Sequence, residues 1–168
     1  MVKTPMPPYV DSDISDTSRK EIAENLVETM RHFGGIGLSA NQVGLPFRVF
    51  VMGDNKNYIN CFNPKILVES DDVVPMEEGC LTYPGLFVKI RRPEWIEVEF
   101  EDENGEKHMD TFEGLMCRVF QHELDHMDGI DFMSRAKKMD LNIAKRKLKR
   151  GKLKLKRAHG KDMLARAS

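Results

Sequence analysis

Residues 122–126 of the 168-residue chain read His122-Glu123-Leu124-Asp125-His126, an H-E-x-x-H sequence. On a helix, two histidines four apart project from one face about a turn from each other, close enough to hold one metal ion. A carboxylate beside them, here Glu123, can take a proton from metal-activated water and return it to a leaving amine, which is why the pattern recurs in metal-dependent hydrolases. A five-residue pattern also arises by chance on an amphipathic helix, so the reading depends on a further ligand elsewhere in the chain.

A catalytic metal site of this kind takes three protein ligands and keeps a fourth position for water. Metalloproteases that use a downstream Glu are excluded, because no Glu follows Glu123. The extended form with a third histidine is matched as far as Gly129 but has Phe132 at the ligand position. A soft thiolate remains. Glu77-Glu78-Gly79-Cys80-Leu81 sets Cys80 beside a glycine, in a turn that could bring its sulfur to the histidines and complete a His2Cys set. A free cysteine is also commonly a small buried apolar residue, the reading adopted for Cys61 and Cys117.

The elements that must carry these residues follow an α+β pattern. From Asp16, the spacing of Ile22, Leu26, Met30 and Phe33 predicts a helix stopped by Gly34 and Gly35. The glycine-rich Gly34–Leu38 is expected to be extended, and residues 1–15 irregular. Phe47–Met52, Tyr58–Val68, Phe87–Ile90 and Trp95–Phe100 read as strands, with Pro64 requiring an edge or a break. Asn104-Gly105 signals a hairpin between Trp95–Phe100 and Lys107–Phe112. Leu115, Val119, His122 and His126 recur at helical spacing, and Gly129 falls where that helix would end.

Composition bounds the class. The chain is 40% hydrophobic and 32% charged, the range of single-domain globular proteins, with Gly and Pro too few for collagen-like or low-complexity sequence. Apolar runs such as Phe47–Met52 are far short of the roughly 20 residues of a membrane-spanning helix, so no membrane partner is expected. The first ten residues hold three prolines and no apolar stretch, unlike a secretory signal, and three unpaired cysteines suit a reducing compartment such as the cytoplasm. The net charge of -1 conceals a division: residues 1–134 hold 12 Lys/Arg against 25 Asp/Glu, and residues 135–168 hold 14 against 2. A catalytic body over 1–134 and a basic helix or tail over 135–168 are therefore expected. Leu141, Ala144 and Leu148 share a helical face, with Asp140 as its cap and Gly151 as its interruption, which suggests a short docked helix with a frayed basic end. A solvated tail that neutralises the acidic body fits almost equally well.

Three segments together resemble the peptide deformylase family: Gly35-Ile36-Gly37-Leu38-Ser39-Ala40-Asn41-Gln42, Glu78-Gly79-Cys80-Leu81-Thr82, and Gln121-His122-Glu123-Leu124-Asp125-His126-Met127-Asp128-Gly129. The resemblance spans roughly 16–134, departs by Ser39 for Ala, Thr82 for Ser and Met127 for Leu, and leaves out the basic end. It implies an α+β fold with mixed or antiparallel sheets around a central helix bearing the H-E-x-x-H sequence. It also implies co-translational removal of the formyl group from the N-terminal formyl-methionine of nascent polypeptides. On that basis Cys80, His122 and His126 are the metal ligands, for one divalent ion, Fe2+ in the cell with Zn2+ or Ni2+ as substitutes. Glu123 moves the proton, and Gln42 and the Leu81 N–H hold the oxyanion. The peptide would lie as an added strand along Ile36-Gly37 and Gly79, with its methionine in a pocket walled by Leu115, Arg118 and Val119, the Arg118 head pointing outward or pairing with an acid. Gly37 would let the substrate backbone approach. By analogy the basic end would contact the ribosome or its RNA, and nothing demands more than a monomer. Two other classes are weighed beside it: another metal-dependent amidase or protease on the same ligands, and a nucleic-acid-binding protein with a structural metal. An open fourth metal position next to a Glu has no structural purpose, which counts against the last.

Overall fold

The structure, a computed structural model, describes residues 4–11, 17–54 and 56–166, with side chains described as far as residue 154. The expected helix start at Asp16 lies outside the described residues. Helix α1 (Arg19–His32) begins at Ser18, whose hydroxyl accepts the Glu21 N–H at 3.2 Å. It buries Ile22, Ala23, Leu26, Val27 and Met30. Phe33, counted into that apolar stripe from spacing, is instead 64% exposed, because the chain has already left the helix there. Gly34 follows at φ +67°, and the Gly34 and Gly35 N–H groups return to Arg31 O and Met30 O, a cap that only a residue tolerant of positive φ closes without strain.

Among the described residues seven strands follow: β1 (Gly37–Ser39), β2 (Val49–Gly53), β3 (Tyr58–Glu69), β4 (Val73–Gly79), β5 (Phe87–Pro93), β6 (Trp95–Glu101) and β7 (Lys107–Glu113). They form an antiparallel five-stranded sheet of order β1-β2-β3-β6-β7 and a two-stranded sheet of β4 and β5. The alternation expected of β6 is present, with Ile96, Val98 and Phe100 facing inward. Pro64 sits on a central strand and forces a break: the β3–β6 register shifts between Phe62 and Lys65, and Asn63 takes φ +51°. Asn63 uses that conformation to clamp the N-terminal segment, accepting Tyr9 N–H at 2.7 Å and donating to Tyr9 O at 3.0 Å. At the Asn104-Gly105 turn, Asp102 Oδ1 accepts the N–H groups of Asn104 and Glu106, and Gly105 adopts φ +81°.

Helix α2 (Gly114–Met127) runs against β1, β2, β6 and β7. Every residue from Cys117 to Glu123 is buried, so this helix lies inside the molecule, and its polar residues must find partners there. Phe120 fixes it by edge contact with Phe50, ring centroids 5.1 Å apart, and by a tilted contact with Phe112 at 5.7 Å. Gly129 at φ +70° ends it, with Ile130 N–H returning to Asp125 O.

The basic end differs from expectation. Helix α3 runs from Lys138 to Arg166 through Gly151, and Asp140 lies inside its first turn instead of capping it. A glycine in a helix costs only about 1 kcal/mol relative to alanine, too little to stop a helix otherwise supported. The apolar face foreseen at Leu141, Ala144 and Leu148 is docked, packing on Leu86, Val88, Ile90 and Phe132. No helix of the described residues is long and apolar enough to cross a membrane.

Phe120→Ala should cost about 3–5 kcal/mol of unfolding free energy in urea titration, the usual range for an aromatic deleted from a closed core. A loss below about 1 kcal/mol would mean that α2 is not held by this contact.

Candidate metal centre and active site

Two elements bring the three metal-ligand candidates together. The end of β4 delivers Cys80, and successive turns of α2 deliver His122 and His126. One ligand atom from each lies within 4.8 Å of those of the other two, with Cys80 Sγ 3.3 Å from His126 Nε2. Burial pushes the Cys80 thiol up, but hydrogen bonds from His122 and His126 outweigh it and bring the thiol to about 6. Burial likewise opposes charge on His122, yet its bonds to Cys80 and Glu78, with the Glu123 charge, raise it to about 10. The cluster thus gathers a thiolate around a proton that a cation can replace, and His126 Nδ1 is buried without a hydrogen-bond partner. Sulfur and imidazole donors this close fit a divalent transition metal.

Behind the ligands stands a buried ionic cluster. Glu78 Oε2 accepts from His122 Nδ1 at 3.0 Å and Arg92 Nη2 at 2.9 Å, while Oε1 accepts from Arg92 Nε at 2.7 Å and Arg118 Nη1 at 2.9 Å. Arg92 Nη1 continues to Asp125 Oδ2 at 2.7 Å, and Arg135 Nη2 closes on Asp125 Oδ1 at 2.6 Å. Burial would raise the Glu78 carboxyl, but the bonds from Arg92 and His122, with the Arg92 charge, hold it at about 2. With Nδ1 committed to Glu78, His122 turns Nε2 to the ligand side, the outer support that ligating histidines commonly have.

Glu123 is buried beside the cluster. Gln42, in the short turn after β1, accepts the Ser39 N–H on Oε1 at 3.0 Å, which aims its Nε2 at Thr82 Oγ1 (3.1 Å) and Cys80 Sγ (3.6 Å). A cleft of about 700 Å3 opens over this group. Gln42, Cys80, Leu81, His122 and Glu123 line it, as do the peptide-contact candidates Ile36, Gly37, Gly79, Leu115, Arg118 and Val119. His126 is not in its wall.

Arg118 pairs with an acid, as one expectation had it, but with its head turned inward: it is 3% exposed and bonds to Glu78, Ile90 O and Val74 O, so it braces the wall instead of guarding the mouth. A Cβ on Gly37 would lie 2.5 Å from Glu123 Oε1 and 2.8 Å from Val119 Cγ1, so the glycine keeps room first of all for the Glu123 carboxylate. Sequence reasoning missed Glu78 as the partner of His122, although it stands two residues before Cys80, and missed Arg92, which no local motif marks. It also missed Phe33 and Phe87, exposed aromatics at the cleft.

Glu78→Gln should lower stability by about 3–5 kcal/mol at neutral pH, the cost of breaking a buried pair. The native carboxyl is held near 2 against an ordinary 4.5, so its contribution is complete above 4.5 and is lost as the pH falls through about 2. The gap between wild type and variant in denaturant titrations should narrow across that window, and a gap unchanged from pH 7 to 3 would contradict the ionised pairing.

The profile of the polypeptide deformylase family matches residues 3–142. A peptide deformylase of Thermotoga maritima is 40% identical over 138 residues, covering 82% of this chain and 81% of its own. Among solved structures, a peptide deformylase from Synechococcus elongatus in complex with actinonin superposes with TM-score 0.78 at 33% identity, covering 87% of this chain and 79% of that one. One from Legionella pneumophila gives 0.77 at 32% identity, covering 92% and 91%. The chain belongs to the polypeptide deformylase family, metal-dependent hydrolases that remove the N-terminal formyl group from nascent peptides.

Proposed function

We propose that Cys80, His122 and His126 hold one divalent ion, Fe2+ in the cell with Zn2+ or Ni2+ able to substitute, and that Glu123, Gln42 and the Leu81 N–H carry the hydrolysis of formyl-methionyl peptides. The observation that supports this most is the convergence, in one cleft, of a thiol and two imidazoles with a buried carboxylate and an aimed amide. When bound, such an ion acidifies water and polarises a carbonyl. Glu123 accepts the proton of the attacking water, and the water oxygen bonds to the formyl carbon. Gln42 Nε2 and the Leu81 N–H donate to the oxygen that gains charge. Glu123 then delivers its proton to the amine nitrogen as the C–N bond breaks, leaving formate and a free amino terminus.

The nascent chain pairs as an added strand beside Ile36-Gly37 and Gly79, since β1 is an edge of the five-stranded sheet. Leu115 and Val119 wall the methionine pocket, and Arg118 supports it from within. Residues 1–134 supply the chemistry. The basic α3, docked by its apolar face, offers exposed Arg146, Lys147 and Arg150 to ribosomal RNA. The protein acts as a monomer, in the cytoplasm or the equivalent compartment of a bacterial-type translation system.

Anaerobically purified protein should release formate from a formyl-Met-Ala-Ser peptide. Cys80→Ala should lose both metal and activity, whereas Glu123→Ala should keep its metal and lose about 100-fold or more in turnover, the scale of general acid–base catalysis. Full turnover by Glu123→Ala would remove that residue from the mechanism. Cleavage of the Met-Ala bond in place of formate release would favour a protease on the same ligands. Changing Arg146, Lys147 and Arg150 together to Gln should weaken salt-sensitive co-sedimentation with ribosomes while leaving activity on the free peptide intact, and unchanged sedimentation would disprove the RNA contact.

A further inference from the structure

Ser39 stands between the groups assigned to proton transfer and to oxyanion binding. It is fully buried. Its hydroxyl oxygen lies 2.8 Å from Glu123 Oε2 and 2.9 Å from Gln42 Oε1. Both neighbours are acceptors: Glu123 Oε2 is a carboxylate oxygen, and the Gln42 amide is oriented with Oε1 toward Ser39 by the backbone N–H at 3.0 Å. A hydroxyl carries one hydrogen and two lone pairs, so Ser39 can donate to only one of them at a time.

We propose that Ser39 is a positioning residue of the deformylation reaction, tying the Glu123 carboxylate to the Gln42 amide and sharing one hydrogen between them. The proposal rests on the reading of Glu123 and Gln42 given above. The Ser39 hydroxyl lies within hydrogen-bond distance of both oxygens, so it fixes the spacing of the Glu123 carboxyl from Gln42 Oε1 and, with the Ser39 N–H on that same Oε1, holds the amide with Nε2 turned to Thr82 and Cys80. Ser39 neither gains nor loses a proton over the cycle. An alanine at this position, the residue more usual in the resembling motif, fills the same space without the hydrogen. Ser39→Ala therefore isolates the hydroxyl with little change of packing.

Formate release should be measured for wild type, Ser39→Ala, Gln42→Ala and the double variant, with metal content and thermal midpoint determined on each. Ser39→Ala is expected to lower kcat about tenfold, the scale of one lost hydrogen bond to a charged group, with KM within about twofold and metal content unchanged. In the Gln42→Ala background the same substitution should cost much less, because the coupling it removes is already gone. A change in kcat below about twofold, a loss carried by KM, a loss that follows metal content, or additive effects in the double variant would each overturn the assignment. Absence of formate from fully metallated wild type would instead fell the functional reading, and the Ser39 role with it.

Discussion

The carboxylate of Glu78 is the constraint on which the site depends. It is a charge buried within the protein, and burying a carboxylate is tolerable only if its oxygens are occupied. Four N–H groups from Arg92, Arg118 and His122 do so. The same contacts join β4 to β5 through Arg92 and the small sheet to α2 through Arg118 and His122. Because Cys80 follows Glu78 by two residues and Glu123 follows His122 by one, locating this carboxylate locates the thiol, both imidazoles and the Glu123 carboxyl. Removing a single partner would leave an uncompensated charge, so the cluster tolerates little drift.

Around that anchor the molecule divides its tasks. The five-stranded sheet and α1 supply apolar burial, with Phe50, Phe62 and Met30 fully enclosed. Helix α2 crosses this core carrying His122, Glu123, Asp125 and His126, polar groups a purely apolar core would not accommodate. The ionic cluster meets the demands of His122 and Asp125, while Glu123 bonds to Ser39. Rigid support from a strand end and an interior helix suits a site whose ligand atoms must hold their positions.

Much of this was legible in the sequence where local rules apply. Helix α1, the β6–β7 hairpin and α2 followed from periodicity and glycines, and the ligand candidates followed from helical spacing and the exclusion of other third ligands. Strand β4 was not anticipated, because Pro75, Glu77 and Glu78 break an apolar pattern. Its buried Glu78 makes sense only once Arg92, 14 residues away, is bonded to it. For Arg118 an acidic partner was expected, but not that the partner, Glu78, lies inward on this unmarked strand. The extent of α3 was missed because Gly151 was weighed as a break, whereas the docking of Leu141, Ala144 and Leu148 supplies support that local propensity ignores.

That docking carries apolar packing past the charge boundary. Charge composition divides the chain near residue 134, as though a finished enzyme carried a detachable basic appendage. Yet Leu141, Ala144 and Leu148 roof the far side of the small sheet, over Val88 and Ile90 and within the same apolar cluster that Cys80 packs against. A chain cut at the charge boundary would leave that cluster open to water behind Cys80. The apolar cluster beside Cys80 is thus closed by residues as far along the chain as Leu148.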